Sequence, residues 1–267
     1  MEKIGLIAGN RKFPLLFAEA AKKKGVYIVA VGIKGDTSPR LKKLVDKIYW
    51  LGLSDFSRMF EIFKAQGVSK VVMAGQVSPY RLFSREIEKD SQLKSLLEGI
   101  KDKKADTIFG AVAKKLSESG FDLISSATYM EDYFPAKGTL THIEPSFAIW
   151  EDVYFGLDLA KEIARLDIGQ TIAVKSKAVV AVEALEGTDN LIRRAGRISR
   201  GGATIVKVSK PKQDLRFDIP VIGLNTIKNL IRARVKCLAI EAGKTIFIDK
   251  KESLALAEKK GIAIVAV

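Results

Sequence analysis

Between Lys207 and Gly223 the chain reads K-V-S-K-P-K-Q-D-L-R-F-D-I-P-V-I-G. Asp214, Arg216 and Asp218 recur there at every second residue, behind Lys207, Lys210 and Lys212. On an extended backbone alternate side chains project to one face, so the three groups would stand together. Two carboxylates around a guanidinium suit a hard cation such as Mg²⁺, beside a phosphate that the arginine grips. Pro211 and Pro220 bracket the stretch, which predicts a loop or a sheet-edge strand and not a buried central strand. A surface strand with ordinary alternating charges is the competing reading of the same spacing.

Other candidates are more scattered. Gly9-Asn10-Arg11-Lys12 follows a short apolar run and precedes Pro14, where loop amides ahead of a helix can receive an anion. A tight turn explains that glycine equally well. Gly75 and Gln76 follow the apolar run Lys70–Ala74, and ligands of open α/β sheets bind beyond the carboxyl ends of strands. Glu183 and Glu186 end a β-type run ahead of Gly187, Thr188 and Asp189. Acids beside such a turn suit sugar hydroxyls or a metal, but acids near a helix start also answer its dipole. Thr188 or Asp189 is the expected cap of the helix Asn190–Ser199, whose Arg193, Arg194 and Arg197 suit either phosphate or solvent. His142 is the sole histidine. Mechanisms that require two or more, such as a calcineurin-like dimetal phosphoesterase or an H-E-x-x-H protease, are therefore excluded.

A scaffold of alternating strands and helices surrounds these residues. Lys3–Ala8, a helix from Pro14 to Gly25 and Tyr27–Val31 make a strand–helix–strand unit typical of nucleotide-binding α/β domains. Gly5 and Gly9 do not complete a G-x-G-x-x-G fingerprint, which argues against a nicotinamide or flavin dinucleotide. Phe56, Met59, Phe60 and Phe63 fall at helical spacing and read as core. Residues 84–119 read as charged and mostly helical, Asp122–Ser125 as a strand, and 126–147 as irregular. Ser146–Leu166 is a long helical pattern, and Gln170–Val174 with Val179–Val182 reads as a hairpin turned at Ser176-Lys177. Strands at Thr204–Val208, Lys236–Ala239, Thr245–Ile248 and Ile262–Val267 alternate with helices to the end. The predicted fold class is α/β in two domains. Residues 1–135 would form a Rossmann-like parallel sheet, and 136–267 a mixed α/β domain carrying the catalytic groups.

Composition bounds the partners. Of 267 residues, 45 are basic and 31 acidic, a net charge of +14 that attracts anions, whether nucleotides or an anionic leaflet. Lysine- and glutamate-rich heat-adapted proteins show a similar balance. Aromatics do not alternate with basic residues and no zinc-finger or helix-turn-helix signature occurs, so nucleic acid is not an expected partner. The single cysteine, Cys237, rules out an internal disulfide. No run approaches the roughly 18–20 apolar residues of a membrane-spanning helix, and the amino terminus runs straight into a strand without a signal-peptide pattern. A cytoplasmic location is the expectation.

Several blocks, in order, carry a family likeness. They are G-L-I-A-G-N-x-x-F-P at Gly5–Pro14, A-G-Q-V at Ala74–Val77 and G-Q-T-I-A-V-K at Gly169–Lys175. V-E-A-L-E-G-T-D at Val182–Asp189, K-P-x-Q-D-L-R-F-D-I-P-V-I-G at Lys210–Gly223 and E-A-G-K-T at Glu241–Thr245 follow. Together they resemble the UDP-2,3-diacylglucosamine pyrophosphatases of lipid A biosynthesis, in the two-domain form and not the calcineurin-like one. The resemblance implies hydrolysis of that pyrophosphate to UMP and 2,3-diacylglucosamine 1-phosphate, by water attacking the α-phosphorus with a divalent metal, Mg²⁺ or Mn²⁺. It implies an essential aspartate in the carboxyl-terminal domain, for which Asp214 and Asp218 both stand, as catalytic groups and as metal ligands, with Arg216 neutralising charge. Its matching blocks supply expected substrate contacts at Gly9, Asn10, Gly75, Gln76, Lys175, Glu186, Gly187, Thr188, Asp189, Lys210, Gln213 and Lys244. It further implies a transient, peripheral contact with the inner membrane, with a homodimer open as an assembly. The chain departs from the family's pattern at Lys104-Ala105-Asp106-Thr107, in place of an acidic Gly-Asp-Asp type turn. A nucleotide-sugar or lipid-phosphate binding protein without catalysis is the alternative; it would not need Asp214 or Asp218.

Overall fold

The structure, a computed structural model, describes residues 1–77, 81, 86–102, 105–211, 214, 216 and 219–267. The chain divides into two compact units, Met1–Met130 with Asp214–Asp218, and Glu131–Gln213 with Ile219–Val267.

In the first unit, strands β1 (Lys3–Ala8), β2 (Tyr27–Ile33), β3 (Lys47–Leu51), β4 (Lys70–Ala74) and β5 (Asp122–Leu123) form one sheet in the order β3-β2-β1-β4-β5. Every pairing in it is parallel. Parallel strands covered on both faces read as continuous apolar runs, and β2 is buried at all five interior positions. Helix α2 (Phe56–Ala65) lays Met59, Phe60 and Phe63 on one face, where α4 (Ala105–Glu118) adds Ala113 and Leu116. Helix α1 (Phe13–Lys23) buries Phe17, Ala18 and Ala21, and α3 (Ser91–Glu98) is capped by the Asp90 carboxylate. The expected aromatic stripe is core, as its helical spacing predicts. β3 lies where the sequence suggested no element. It is an edge strand whose Ile48, Tyr49 and Trp50 are only half-buried, so its pattern is mixed. β5 is shorter than expected.

The second unit is a sheet between two helical layers. Strands β6 (Gly138–Thr139), β7 (Thr171–Lys175), β8 (Ala178–Val182), β9 (Thr204–Lys207), β11 (Cys237–Ile240) and β13 (Ala263–Ala266) run in the order β6-β13-β11-β9-β7-β8. β9, β11 and β13 are parallel, while β6, β7 and β8 pair antiparallel. Alternation along each strand sorts side chains to two cores. Val206, Ala239 and Val265 face α5 (Phe147–Arg165), with its Val153, Ala160 and Ala164. Ile205, Leu238 and Ile264 face the other core, with Leu191 and Ile192 of α6 (Thr188–Ser199) and Leu230 of α7 (Leu224–Arg232). Helix α8 (Lys250–Lys259) adds Ala257 to it. β10 (Val221–Ile222) and β12 (Ile246–Phe247) form a separate parallel ladder of two residues each. The strand expected at Thr245–Ile248 is thus short and stands outside the main sheet.

The hairpin falls where its sequence placed it. Ser176 and Lys177 take φ of 51° and 57°, and their amides donate to the buried Asp152 carboxylate of α5 at 3.1 and 2.6 Å. Among the described residues no helix is long and apolar enough to cross a membrane.

Candidate active site

Four expected site residues meet in the first unit. Gly9 and Asn10 leave the carboxyl end of β1, and Gly75 and Gln76 leave that of β4. The Gly9 amide donates to Ala74 O at 2.8 Å and the Asn10 amide to Gln76 O at 2.7 Å, closing an antiparallel bridge. Gly75 has φ of +83°, and a Cβ there would lie 2.9 Å from Pro14 Cγ, so the close approach of the two chains requires glycine. Strand order reverses at β1, with β2 on one side and β4 on the other, and ligands of open α/β sheets bind in the crevice at that reversal. Gly9 and Gly75 therefore meet in one tight backbone crossing at that reversal.

In the second unit a polar cluster sits at the carboxyl end of β9. Lys207 and Thr171 are register partners across β9 and β7. Both are buried, with Lys207 only 7% exposed. Its ammonium donates to Thr188 Oγ1 at 3.0 Å and Thr171 Oγ1 at 3.3 Å. Thr188 in turn donates to Glu183 Oε1 at 2.8 Å. Glu183 is 9% exposed, and its Oε2 has no hydrogen-bond partner among the described residues. Thr188 thus bridges a buried ammonium and a buried carboxylate, a polar cluster built around two opposite charges. The expectation that Thr188 or Asp189 caps α6 is not met. Gly187, with φ of 77°, is the cap, and neither side chain makes a cap bond. The Thr188 hydroxyl is already spent between Lys207 and Glu183, and Asp189 accepts from Asn225 at 2.8 Å.

Glu186 pairs with Arg194 at 2.5 Å and accepts from the Ala184 amide at 3.1 Å. The Arg194 guanidinium holds the Glu186 carboxyl below the usual carboxylate range, so this acid stays charged and committed. At the end of β11, Glu241 accepts from Lys161 at 2.5 Å, Lys244 at 3.3 Å and the Ser209 amide at 2.5 Å. Burial pushes its carboxyl up, but Lys161, Ser209 and Lys244 together hold it below the ordinary value. Lys210 pairs with Asp167 at 2.7 Å. Lys161, Lys210 and Lys244 are thus each paired with an acid, on Glu241 or Asp167.

Arg216 closes on Asp214 by a paired hydrogen bond, Nη2 to Oδ2 at 2.7 Å and Nε to Oδ1 at 2.9 Å, with its own amide adding a third at 3.0 Å. Neither Asp214 nor Arg216 lies in a strand. Arg216 holds the Asp214 carboxyl below its ordinary range, and Asp214 raises Arg216 in return. Both oxygens of Asp214 face donors, and the described residues bring no group of three His, Cys, Asp or Glu together to hold a metal. They do not form a preformed metal cage. Asp218 and Gln213 lie outside the described residues.

Lys175 stands apart from the cluster. It lies at the far end of β7, where its ammonium donates to Ser199 O at 2.8 Å and Gly201 O at 2.9 Å, binding the carbonyls at the end of α6. His142 is exposed and donor or acceptor to Glu258 at 2.8 Å, with no site residue beside it in its hydrogen bonds. Lys161 and Thr171 are the additions that sequence reasoning missed. Thr171 opens an apolar strand, and only its register opposite Lys207 marks it; Lys161 is one lysine among several on a long helix.

Two α/β units, with a glycine-bridged switch point in the first and a buried polar cluster in the second, make this an α/β protein of two domains. Family models described as the LpxI N-terminal domain and the LpxI C-terminal domain match residues 3–133 and 136–265. The UDP-2,3-diacylglucosamine pyrophosphatase LpxI of Caulobacter vibrioides is 30% identical over 277 positions, covering 100% of this chain and 98% of that protein. The chain belongs to the LpxI family. Among solved structures, the biotin carboxylase domain of the Hydrogenobacter thermophilus 2-oxoglutarate carboxylase matches 67% of this chain and 36% of its own at 16% identity, with a TM-score of 0.29. The N5-carboxyaminoimidazole ribonucleotide synthetase of Thermotoga maritima matches 71% of this chain and 43% of its own at 15% identity and a TM-score of 0.26. At TM-scores this low the likeness says nothing about fold or chemistry here.

Proposed function

We propose that this chain hydrolyses the pyrophosphate of UDP-2,3-diacylglucosamine, giving UMP and 2,3-diacylglucosamine 1-phosphate. The observation that carries the reading is the full-length kinship with a pyrophosphatase of that name, matched in both units. The chemistry of the residues supports it. A pyrophosphate diester carries roughly two negative charges, and attack by water adds charge to the phosphoryl oxygens in flight. Water would bond to the α-phosphorus as the bridging P–O bond breaks, and the diacylglucosamine phosphate would leave. Arg216 would stabilise that charge. Asp214, held charged by Arg216, is a poor proton acceptor and would orient the guanidinium instead.

Asp218 and a divalent cation, Mg²⁺ or Mn²⁺, complete the proposal as essential groups. A transient contact with an anionic inner-membrane surface, from the cytoplasmic side, is supported by the +14 charge. The test is hydrolysis in ¹⁸O-water, run with wild type, Asp214→Ala, Asp218→Ala and an EDTA arm. Label in UMP, lost with EDTA and with at least one aspartate, supports the reading. Label only in the lipid phosphate would refute attack at the α-phosphorus, and full activity in EDTA would refute the metal.

A further inference from the structure

Helices α6 and α7 cover one face of the second unit's main sheet, and α5 covers the other. The two faces differ in charge. Residues 188–200 hold four arginines and one acid, Asp189, and residues 224–236 hold four basic residues and no acid. Residues 147–165, which form α5, hold four acids against two bases. Positive charge is thus gathered on the α6–α7 side, where it sets the local potential.

The two helices make one continuous surface. A Cβ added at Gly196 would lie 2.6 Å from the Cβ of Ala233, so α6 and α7 touch backbone to side chain. Arg193 Nε donates to Asn229 Oδ1 at 3.4 Å, and the Asn225 side-chain amide donates to Asp189 Oδ2 at 2.8 Å. Beyond the end of α6, the Gly202 amide donates to Arg234 O at 2.8 Å. Leu191, Ile192 and Ala195 of α6 and Ile227 and Leu230 of α7 point into the core. Arg193, Arg197, Arg200, Lys228 and Arg232 are exposed around the crossing. Among the described residues, Arg194 is the arginine of α6 that meets an acid, Glu186. The side chains of Arg197, Arg200, Lys228 and Arg232 have no carboxylate partner there.

Like charges three or four residues apart destabilise a helix, and Arg193–Arg197, Arg197–Arg200 and Lys228–Arg232 all have that spacing. Heat-adapted surfaces interleave both signs into ion-pair networks, and this face does not. An anionic partner would relieve the repulsion. Neither 188–200 nor 224–236 contains an aromatic residue on which a nucleic-acid base could stack. Ile198, on α6, is 59% exposed and adds an apolar side chain that a lipid headgroup layer can receive. Resting on the activity proposed above, which places the substrate in a membrane, we infer that the α6–α7 face docks this chain on an anionic lipid leaflet. Arg197, Arg200, Lys228 and Arg232 meet the lipid phosphates, while the acidic α5 face stays away from them.

The test is sedimentation of the full chain with vesicles of phosphatidylcholine alone, or of phosphatidylcholine mixed equally with phosphatidylglycerol. Wild type is compared with the triple variant Arg197→Gln, Lys228→Gln, Arg232→Gln and with the charge-keeping double Arg197→Lys, Arg232→Lys. A second triple, Lys23→Gln, Lys24→Gln, Lys64→Gln, removes the same charge from the first unit. All six positions are exposed, so the substitutions leave both cores intact. Wild type should bind the mixed vesicles at least about 100-fold more tightly than phosphatidylcholine. The α6–α7 triple should lose on the order of 100-fold, about fivefold per charge. The charge-keeping and first-unit variants should stay within about threefold. UMP release from substrate in neutral detergent should agree within about twofold for all four proteins. On mixed vesicles it should fall at least about tenfold for the α6–α7 triple alone. Equal losses in the two triples would overturn the inference, because net charge and not this face would then bind. Vesicle binding unchanged in the α6–α7 triple would also overturn it. So would single-stranded RNA that binds in place of vesicles with the same three-residue dependence. Activity lost in detergent would overturn it as well, since the face would then belong to the substrate site. A wild type that docks through this face yet releases no UMP would sink the activity and leave the docking standing.

Discussion

Replacing Thr188 by valine removes one hydroxyl and little else, and the second unit should feel it strongly. That oxygen donates to Glu183 Oε1 at 2.8 Å and accepts from Lys207 Nζ at 3.0 Å. Hydrogen bonds to charged groups contribute about 1.5–3 kcal/mol each, and removing one partner leaves the other charged group buried and underpaired. Glu183 has no second described partner for its other oxygen, whereas Lys207 keeps Thr171. The two bonds share an atom and the charges can relax toward one another, so their losses do not simply add. The expected cost is about 2–4 kcal/mol. Thr188→Ser is the matched control, since it keeps the hydroxyl and loses one methyl, a change of about 1 kcal/mol or less. The chain has two tryptophans, Trp50 in the first unit and Trp150 in the second. A Trp50→Phe background therefore lets Trp150 fluorescence report urea unfolding of the second unit alone. If the valine and serine variants unfold within about 0.5 kcal/mol of each other, the hydroxyl does not bridge two buried charges and the site is built differently.

Three further outcomes follow from the same structure. Cys237 is fully buried and burial pushes its thiol up to about 12, so Ellman's reagent at mild alkaline pH should leave it unmodified until the protein is unfolded. Fast reaction of the native protein would contradict this. Gly196→Ala would place a Cβ 2.6 Å from Ala233 Cβ where α6 crosses α7, and the overpacking should cost about 1–3 kcal/mol in the same Trp150 assay; an unchanged midpoint would show that the helices part freely. Asp214 has its folded value lowered by Arg216, so the pairing is complete above the ordinary aspartate value and is lost only as pH falls through the lower folded value. The pH profile of kcat/KM should therefore show no limb from Asp214 above about pH 5, and Asp214→Asn should lower the profile without moving its limbs.

Much of the scaffold could be read from periodicity. The Phe56–Phe63 stripe, the hairpin at Ser176-Lys177 and the long helix after Ser146 are strong local patterns, and each element stands where its pattern put it. The edge strand Lys47–Leu51 could not, because half-burial blurs alternation. The short β10–β12 ladder depends on a register between residues 25 positions apart, which no local window contains. The site was legible in part. Gly9 and Gly75 could be placed at the carboxyl ends of their strands from sequence, whereas their close approach to each other's loops emerges only from the fold. Asp214 and Arg216, two residues apart in sequence, stand together as a bidentate pair, which their alternation alone does not specify. Lys175 lay in a matching block yet serves a helix end, because residues at opposite ends of one short strand face different edges of the sheet. Lys161 and Thr171 become visible only once register and helix packing bring them to the strand ends.

The most direct measurement is product stoichiometry. Purified protein, incubated in detergent with UDP-2,3-diacylglucosamine and Mg²⁺, is followed by mass spectrometry of both the aqueous and the lipid phase. The account predicts UMP and 2,3-diacylglucosamine 1-phosphate appearing in equal amounts, with many turnovers per chain. Tight binding with neither product formed would contradict it and make this chain a carrier of its ligand and not a hydrolase.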